Sequence, residues 1–295
     1  MANIKIKGFF LHFRIVSAYR RCKRVQFSYY PGCTLKTRAK EFEELALKAA
    51  GVLGIDLLEQ EEWQCCGAVF PLAKDELATF LSSVRSLDAA AEKGEKLVTL
   101  CAACYHVIKR ANHTIKTDKE IRGKVNSYLE TDYQGNAEII HYLELLRDEL
   151  GFDKLAEAIQ KPLQGKKIAP YYGCLLLRPH KVMQFDDPEN PSIMEDFLRA
   201  IGAEPVYFSY RTECCGVYLS LQEEEIVEGM VEKIVRSAAR AGAEAIVDAC
   251  PLCHYNLEEM QKKLPAGSPR VPVIYFTDLL AEALQIARET AKEKA

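Results

Sequence analysis

A chain of 295 residues, 48% hydrophobic and 27% charged, has enough apolar side chain to bury one large core or two ordinary ones, which excludes wholesale disorder. Its 39 basic and 42 acidic residues leave a net charge of −3. That balance excludes a nucleic-acid partner, because phosphate neutralisation needs clustered excess cations. It contains no run of 18 or more uncharged apolar residues, so no membrane span is expected.

Residues 1–24 form an N-terminal extension. Its apolar patch, Gly8 to Phe13, is broken by His12 and followed by Arg14, Arg20, Arg21, Lys23 and Arg24. The patch is too short for a signal core and no small-residue cleavage site follows it, so a cytoplasmic location is expected. Val25 to Tyr30 then reads as a strand closed by Pro31-Gly32. Residues 40–50 place Phe42, Leu45, Ala46 and Ala49 on one helical face. A strand is expected over 55–58, a helix over 72–93 that Gly94 ends, a strand over 96–100 and a helix from Cys104 onward. The second half follows suit. Strands are expected at 167–172, 204–208, 244–249 and 271–276, and helices at 191–201, 222–241, 253–263 and 277–291. Strands alternating with helices imply crossover connections and a mainly parallel sheet in each half.

Eleven cysteines carry the chemistry. Cys22 aside, they form two sets of five. The first is Cys33, Cys65-Cys66-Gly67 and Cys101-x-x-Cys104; the second is Cys174, Cys214-Cys215-Gly216 and Cys250-x-x-Cys253. From Cys66 to Cys101 is 35 positions, as it is from Cys215 to Cys250, while the earlier gap is 32 in one half and 40 in the other. The flanks repeat too. Tyr29-Tyr30-Pro31-Gly32-Cys33 echoes Pro170-Tyr171-Tyr172-Gly173-Cys174, and His141-Tyr142-Leu143-Glu144 echoes Tyr275-Phe276-Thr277-Asp278. The expected fold class is therefore α/β, with two pseudo-symmetric repeats, each a small mainly parallel sheet flanked by helices. With a seam near 160–167, where Pro162 and Gly165 sit, the domains run 25–162 and 163–295.

Each cysteine element follows an expected strand. Parallel strands point their carboxyl ends to one edge, where α/β proteins build their sites, so three loops can bring five thiols together. Cys101 and Cys250 open helices, whose positive ends favour thiolates. The glycine after each pair, Gly67 or Gly216, is expected to let the backbone pass a bulky group. A reducing compartment and the strain of vicinal pairing argue against disulfides. Cys250-Pro251-Leu252-Cys253-His254 fits a haem-attachment pattern, but the other half has Tyr105 after Cys104. Structural zinc in one half stays open, although it takes four thiolates and leaves one over. A cubane iron–sulfur cluster also leaves one over.

This duplicated pattern resembles the paired CCG domains of the B-type subunits of heterodisulfide reductases, over roughly residues 25–290. Supporting stretches are Tyr171-Tyr172-Gly173-Cys174 with Arg178-Pro179, Phe185-Asp186-Asp187-Pro188, Thr212-Glu213-Cys214-Cys215-Gly216 and Cys250-Pro251-Leu252-Cys253-His254-Tyr255-Asn256. The resemblance implies two noncubane [4Fe-4S] clusters, one on Cys33, Cys65, Cys66, Cys101 and Cys104, the other on Cys174, Cys214, Cys215, Cys250 and Cys253. It further implies a cavity between the halves and reduction there of a disulfide, such as the mixed disulfide of coenzymes M and B. The partners it implies are the C-type iron–sulfur subunit and the A-type flavoprotein subunit of a heterodisulfide reductase complex. The alternative is an electron-transfer iron–sulfur subunit with no disulfide substrate of its own. His254, beside a ligand, is the candidate proton donor to a departing thiolate. His106, His113, His141 and His180 read as packing or capping residues, Arg178 as a surface ion pair, Cys22 as an ordinary thiol and Trp63 as a shield for the first site. No phosphate-loop or dinucleotide motif appears, so flavin and nucleotides belong elsewhere.

Overall fold

The computed structural model of the protein describes residues 24–68 and 77–288. The expected N-terminal extension with Cys22, the start of the helix expected at 72–93 and the end of the helix expected at 277–291 lie outside the described residues.

Two four-stranded, all-parallel sheets are present. In the first, the strands are β1 (Val25–Tyr30), β2 (Ile55–Glu59), β3 (Leu97–Thr99) and β4 (Ile139–His141), in the order β2-β1-β3-β4. In the second they are β5 (Lys167–Pro170), β6 (Glu204–Pro205), β7 (Ala245–Asp248) and β8 (Val273–Tyr275), in the order β6-β5-β7-β8. The registers match as well: Thr99 lies opposite His141, and Asp248 opposite Tyr275. Apolar residues fill the central strands because both faces are covered by helices.

Those helices are α1 (Lys40–Val52), α2 (Ala78–Glu92), α3 (Ala102–Thr117) and α4 (Lys119–Leu129) in the first half, followed by α5 (Tyr142–Glu144), which runs on as a π-helical turn (Leu145–Leu150), and α6 (Phe152–Ala158). The second half contributes α7 (His180–Met183), α8 (Ile193–Ala200), α9 (Glu224–Arg240), α10 (Pro251–Lys263) and α11 (Phe276–Ala283). The expected elements include no β4, α4, α6 or α7, although the echo of Tyr275-Phe276 in His141-Tyr142 points to the strand before it. Helix α4 is announced only by its cap, Asp118, whose Oδ1 accepts from the backbone of Glu120 and Ile121.

The repeats exchange their closing helices. Helices α5 and α6, which follow the first sheet, pack on α8 of the second repeat; α11, which follows the second sheet, packs on α1 of the first. The hydroxyl of Thr277 donates to the carbonyl of Phe42 at 3.3 Å, and the backbone N–H groups of Gln160 and Lys161 both donate to that of Ala283 at 3.0 Å. Phe276 is fully buried at the centre of this exchange, against the rings of Phe42, His141 and Tyr142 from the first repeat and Phe197 from the second. Its position fixes how the two sheets face each other. Phe276→Ala is expected to cost about 3–5 kcal/mol by leaving a cavity shared by both repeats, measured by chemical denaturation against the parent chain. A loss well under 1 kcal/mol would mean that the interface collapses around the gap.

Candidate functional site

The ten described cysteines are free thiols, and they lie just past the carboxyl ends of the parallel strands. In the first repeat the sulfurs form a continuous chain. Cys33 Sγ is 3.5 Å from Cys65 Sγ, Cys65 contacts Cys66, Cys66 Sγ is 3.4 Å from Cys104 Sγ, and Cys104 contacts Cys101. The second repeat has the same chain in the same order, Cys174–Cys214–Cys215–Cys253–Cys250. In each, the last two sulfurs lie at a helix start, Cys101 capping α3 and Cys250 capping α10. Most are buried; Cys65 is exposed.

Sulfurs this close share protons. Hydrogen bonds from Cys104 and Cys65 draw the Cys66 thiol down to about 4. Those from Cys174 and Cys215 draw Cys214 down to about 2. Their neighbours Cys65 and Cys174 are pushed up in turn, chiefly by the same contacts. Ionising all five would stack like charges at contact distance, which a protein tolerates only around a multivalent cationic core. Among the described residues, no three His, Cys, Asp or Glu side chains are placed about a single metal ion. Each sulfur contacts the next in a chain of five. That donor set fits a group with several metal atoms and thiolate ligands.

Two pairs of residues hold each chain of sulfurs, and sequence reasoning did not find their roles. Tyr30 and Tyr171 are buried beside four sulfurs of their own repeats. Each donates its hydroxyl to the carbonyl just before the vicinal pair, Tyr30 to Gln64 and Tyr171 to Glu213. The echoed tyrosines were the available signal. The second pair is Gly32 and Gly173. A Cβ on Gly32 would lie 2.7 Å from Cys104 Sγ, and one on Gly173 would lie 3.3 Å from Cys253 Sγ; both residues have positive φ. The close approach to sulfur is thus made by the glycine before the first cysteine. Gly67 and Gly216, expected to let the backbone pass a bulky group, also have positive φ; a Cβ on Gly216 would meet Met230 and Val227, and one on Gly67 would meet nothing within 4 Å among the described residues. Their backbone N–H groups instead donate to the first sulfur of the pair, at 3.5 Å to Cys65 and 3.3 Å to Cys214.

The two chains of sulfurs are neighbours. The backbone N–H of Ala102 donates to the carbonyl of Ala249 at 3.1 Å, joining the residues beside Cys101 and Cys250. Tyr218, 43% exposed, feels Cys250 and Cys174 of one set and Cys66 and Cys101 of the other. A cleft of about 390 Å3 opens between the repeats, walled by Thr34 and Arg38 just past Cys33 and by Leu252, His254, Tyr255 and Tyr275 around Cys253.

In that cleft, His254 stacks on Tyr275 with ring centres 3.9 Å apart, and Tyr275 stacks on Phe42 at 4.2 Å. Behind it, the fully buried Asp248 sets Oδ2 3.5 Å from His254 Nδ1. Burial raises the Asp248 carboxyl to about 6; burial also disfavours the His254 cation, but Asp248 outweighs it and His254 titrates above its ordinary value. The equivalent pair in the first repeat, Tyr105 and His141, is covered. Phe185 packs edge-on against both rings, Tyr105 donates to the carbonyl of Met183 and His106 Nδ1 sits 3.1 Å from that of Leu175. The covering residues belong to the segment that lengthens the Cys174-to-Cys214 gap.

The other singled-out side chains are structural. His141 caps α5 and Nε2 meets the Leu100 carbonyl at 2.8 Å. Arg178 donates to the Thr212 carbonyl at 2.9 Å, bracing the loop before Cys214, and also reaches Glu189. Trp63 packs edge-on against Tyr30 at 6.0 Å and donates to Glu59.

The cysteine-rich CCG domain model matches twice, over residues 27–109 and 168–258. The chain belongs to that family. It is similar to the 8-methylmenaquinol:fumarate reductase membrane anchor subunit of Wolinella succinogenes, with 34% identity covering 88% of this chain and 93% of that protein. It is also similar to the B-type subunit of the ferredoxin:CoB-CoM heterodisulfide reductase of Methanosarcina mazei (30% identity, 88% and 89% covered). A protein of Archaeoglobus profundus described as like that same B-type subunit is 28% identical, with 87% and 90% covered. Among solved structures, a hypothetical protein from Helicobacter pylori shares the fold, with a TM-score of 0.67 and 14% identity over 99% of this chain. The chain spans 56% of that protein's length. No described helix is long and apolar enough to cross a membrane.

Gly32→Ala is expected to lower stability by about 1–3 kcal/mol through backbone strain and the clash with Cys104. It is also expected to raise anaerobic iodoacetamide labelling of Cys104, read by peptide mass. Gly51→Ala is the control, because a Cβ there meets nothing within 4 Å. Equal labelling of Cys104 in both variants would show that the glycine does not set its position.

Proposed function

We propose that this chain is the iron–sulfur subunit of a heterodisulfide reductase-type complex and that it binds a small disulfide, or the thiols it yields, between its two cysteine quintets. The observation that carries the reading is the inter-repeat cleft, one wall of which follows Cys33 while the other surrounds Cys253. The proposed ligands are Cys33, Cys65, Cys66, Cys101 and Cys104 for one noncubane [4Fe-4S] cluster and Cys174, Cys214, Cys215, Cys250 and Cys253 for the other. When bound, these clusters would supply single electrons and metal sites for thiolate sulfur. Five contiguous sulfurs, with no described group of three donors placed about one metal ion, support clusters over zinc, which gathers four ligands about one point.

The chain's own residues supply position and shelter. Tyr30 and Tyr171 hold the vicinal pairs, and Gly32 and Gly173 allow the close approach of Cys104 and Cys253. Arg38, at the cleft wall, offers a cation to an acidic substrate, and His254 is the side chain placed to hand a proton to a leaving thiolate. The repeat units are 25–162 and 163–295. Relatives named as subunits of heterodisulfide reductases support partner subunits, and the proposed ones are a C-type iron–sulfur subunit and an A-type flavoprotein subunit. The reading locates the complex at the reducing, cytoplasmic side of the cell.

A second reading, an electron-transfer subunit without its own disulfide substrate, is favoured by the relative named as part of a fumarate reductase. One experiment separates the two. The anaerobically purified chain is expected to hold about eight irons if both sites carry four. Oxidising it with and without coenzyme M, coenzyme B, cysteine or glutathione, and recording EPR, is expected to give a signal that depends on the thiol. If none of these thiols changes the spectrum of a fully loaded chain, the electron-transfer reading stands; stoichiometric zinc without iron rejects both. Cys66→Ala is expected to remove only the first-repeat cluster and Cys215→Ala only the second, each leaving about half the iron. Loss of all iron from either variant would mean one shared cluster.

A further inference from the structure

Matched positions behind the two quintets carry different charges. Thr99 ends β3 two residues before Cys101, and Asp248 ends β7 two residues before Cys250; the strand registers make them equivalent. Tyr105 and His254 each follow the last cysteine, and one helical turn later Lys109 stands where the second repeat has Glu258. Contacts within each trio match too. Lys109 Nζ lies 4.6 Å from the centre of the Tyr105 ring, and Glu258 Oε2 lies 3.7 Å from His254 Nε2. A further acid serves as the third helical residue of a capping box in each repeat, Glu144 in α5 and Asp278 in α11.

The sums differ. In the first repeat, Lys109 Nζ is 3.9 Å from Glu144, so that pair cancels, and Thr99 and Tyr105 are neutral. In the second, Asp278 is paired with Arg288 at 2.8 Å, and Asp248 and Glu258 share a single imidazole, so the surroundings stay negative whether or not His254 carries a proton. Asp248 weighs most. It is 0% exposed, neither carboxylate oxygen receives a well-formed hydrogen bond, and the groups turned toward it are the His254 ring at 3.5 Å and the backbone N–H of Cys250. Buried polar groups left this bare call for a reason. In a poorly polarisable interior, a fixed negative charge opposes the arrival of an electron nearby, and a buried cation assists it. Cluster potentials respond to such charges and to solvent exposure. Exposure acts in the same direction, because Cys65 of the first set is exposed while every member of the second is at least partly covered.

We propose that the two quintets hold iron–sulfur groups of unequal reduction potential, the first-repeat group being the more easily reduced, and that Asp248 and Lys109 set the difference. This rests on the cluster reading given under Proposed function. Neither residue touches the reacting atoms; both act through the field at the sulfurs.

The test is a mediated anaerobic dithionite titration of the loaded full-length chain, one electron entering each group, followed by EPR and optical spectra. Two waves are expected. Cys66→Ala, which keeps only the second-repeat group, is expected to retain the lower wave, and Cys215→Ala the higher. Asp248→Asn, which keeps shape and removes charge, is expected to move the lower wave to higher potential and leave the other in place. Lys109→Gln is expected to move the higher wave down and leave the lower in place. A purely packing role for either residue would change iron content or stability without this selective shift. Coincident waves, the reverse assignment in the two cysteine variants, or unmoved waves in both charge variants would overturn the proposal. If Asp248→Asn does not load iron, the assignment in the cysteine variants decides. Absence of iron from the parent chain would overturn the cluster reading itself, whereas loaded sites of equal potential overturn only the inequality.

Discussion

Five sulfurs in a row of contacts, two of them measured at 3.5 and 3.4 Å in the first repeat, repel one another as soon as they ionise, and each repeat is organised around that repulsion. Protons shared along the chain of thiols relieve it partly, which is why Cys66 and Cys214 are acidic while their neighbours are not. The helix starts at Cys101 and Cys250 relieve it a little more. Neither can hold five thiolates at once. The arrangement is therefore a receptor for positive charge, and the rest of the repeat keeps it assembled. Parallel strands deliver three loops to one edge, a buried tyrosine ties the vicinal pair to the central strand, and a glycine lets the outer helix bring its sulfur against the first loop.

One such receptor would need nothing from its twin. The exchange of closing helices makes the pair a unit, because α11 is part of the first repeat's core and α6 part of the second's. Rigid mutual placement follows from Phe276, whose ring contacts come from both sides of the duplication. That placement puts the Cys101 and Cys250 loops in backbone contact and leaves Tyr218 within the field of sulfurs from both sets. Packing far from the sulfurs thus decides how the two quintets sit relative to each other.

The cysteines, their grouping by fives and their strand-end locations were legible in the sequence because each is signalled locally: the Cys-Cys-Gly and Cys-x-x-Cys spacings, Pro31-Gly32 closing a strand, apolar runs before each loop. The internal repeat gave the pseudo-symmetry. What escaped was set by long-range contact. Ile139–His141 pairs with β3 as Val273–Tyr275 pairs with β7, and in the sequence only the echo of Tyr275-Phe276 in His141-Tyr142 signals it. The exchange of α6 and α11 leaves no local trace, since a helix that packs on its own repeat has the same apolar stripe as one that packs on the other. Gly32 looked like a turn former, and only the position of Cys104 Sγ reveals its second duty. Sequence spacing placed His254 beside a cysteine; its stacking on Tyr275 and its place in the cleft wall depend on how the repeats meet.

The departures from symmetry fall where a ligand would notice them. A perfect duplication would present two equal clefts, one over His254 and Tyr275 and one over Tyr105 and His141. Phe185 and its neighbours, carried by the longer Cys174-to-Cys214 connection, fill the second. A symmetric molecule would meet such a site in one of two equivalent poses, whereas here the first-repeat loop after Cys33 and the second-repeat helix after Cys250 present different groups, Arg38 on one wall and His254 on the other. For the disulfide chemistry proposed, the two sulfur ends of a substrate are then distinguished before any bond breaks. On that reading, specificity would come from the walls of the cleft, Arg38 and His254 among them, and the redox chemistry from the quintets behind the loops that carry those walls.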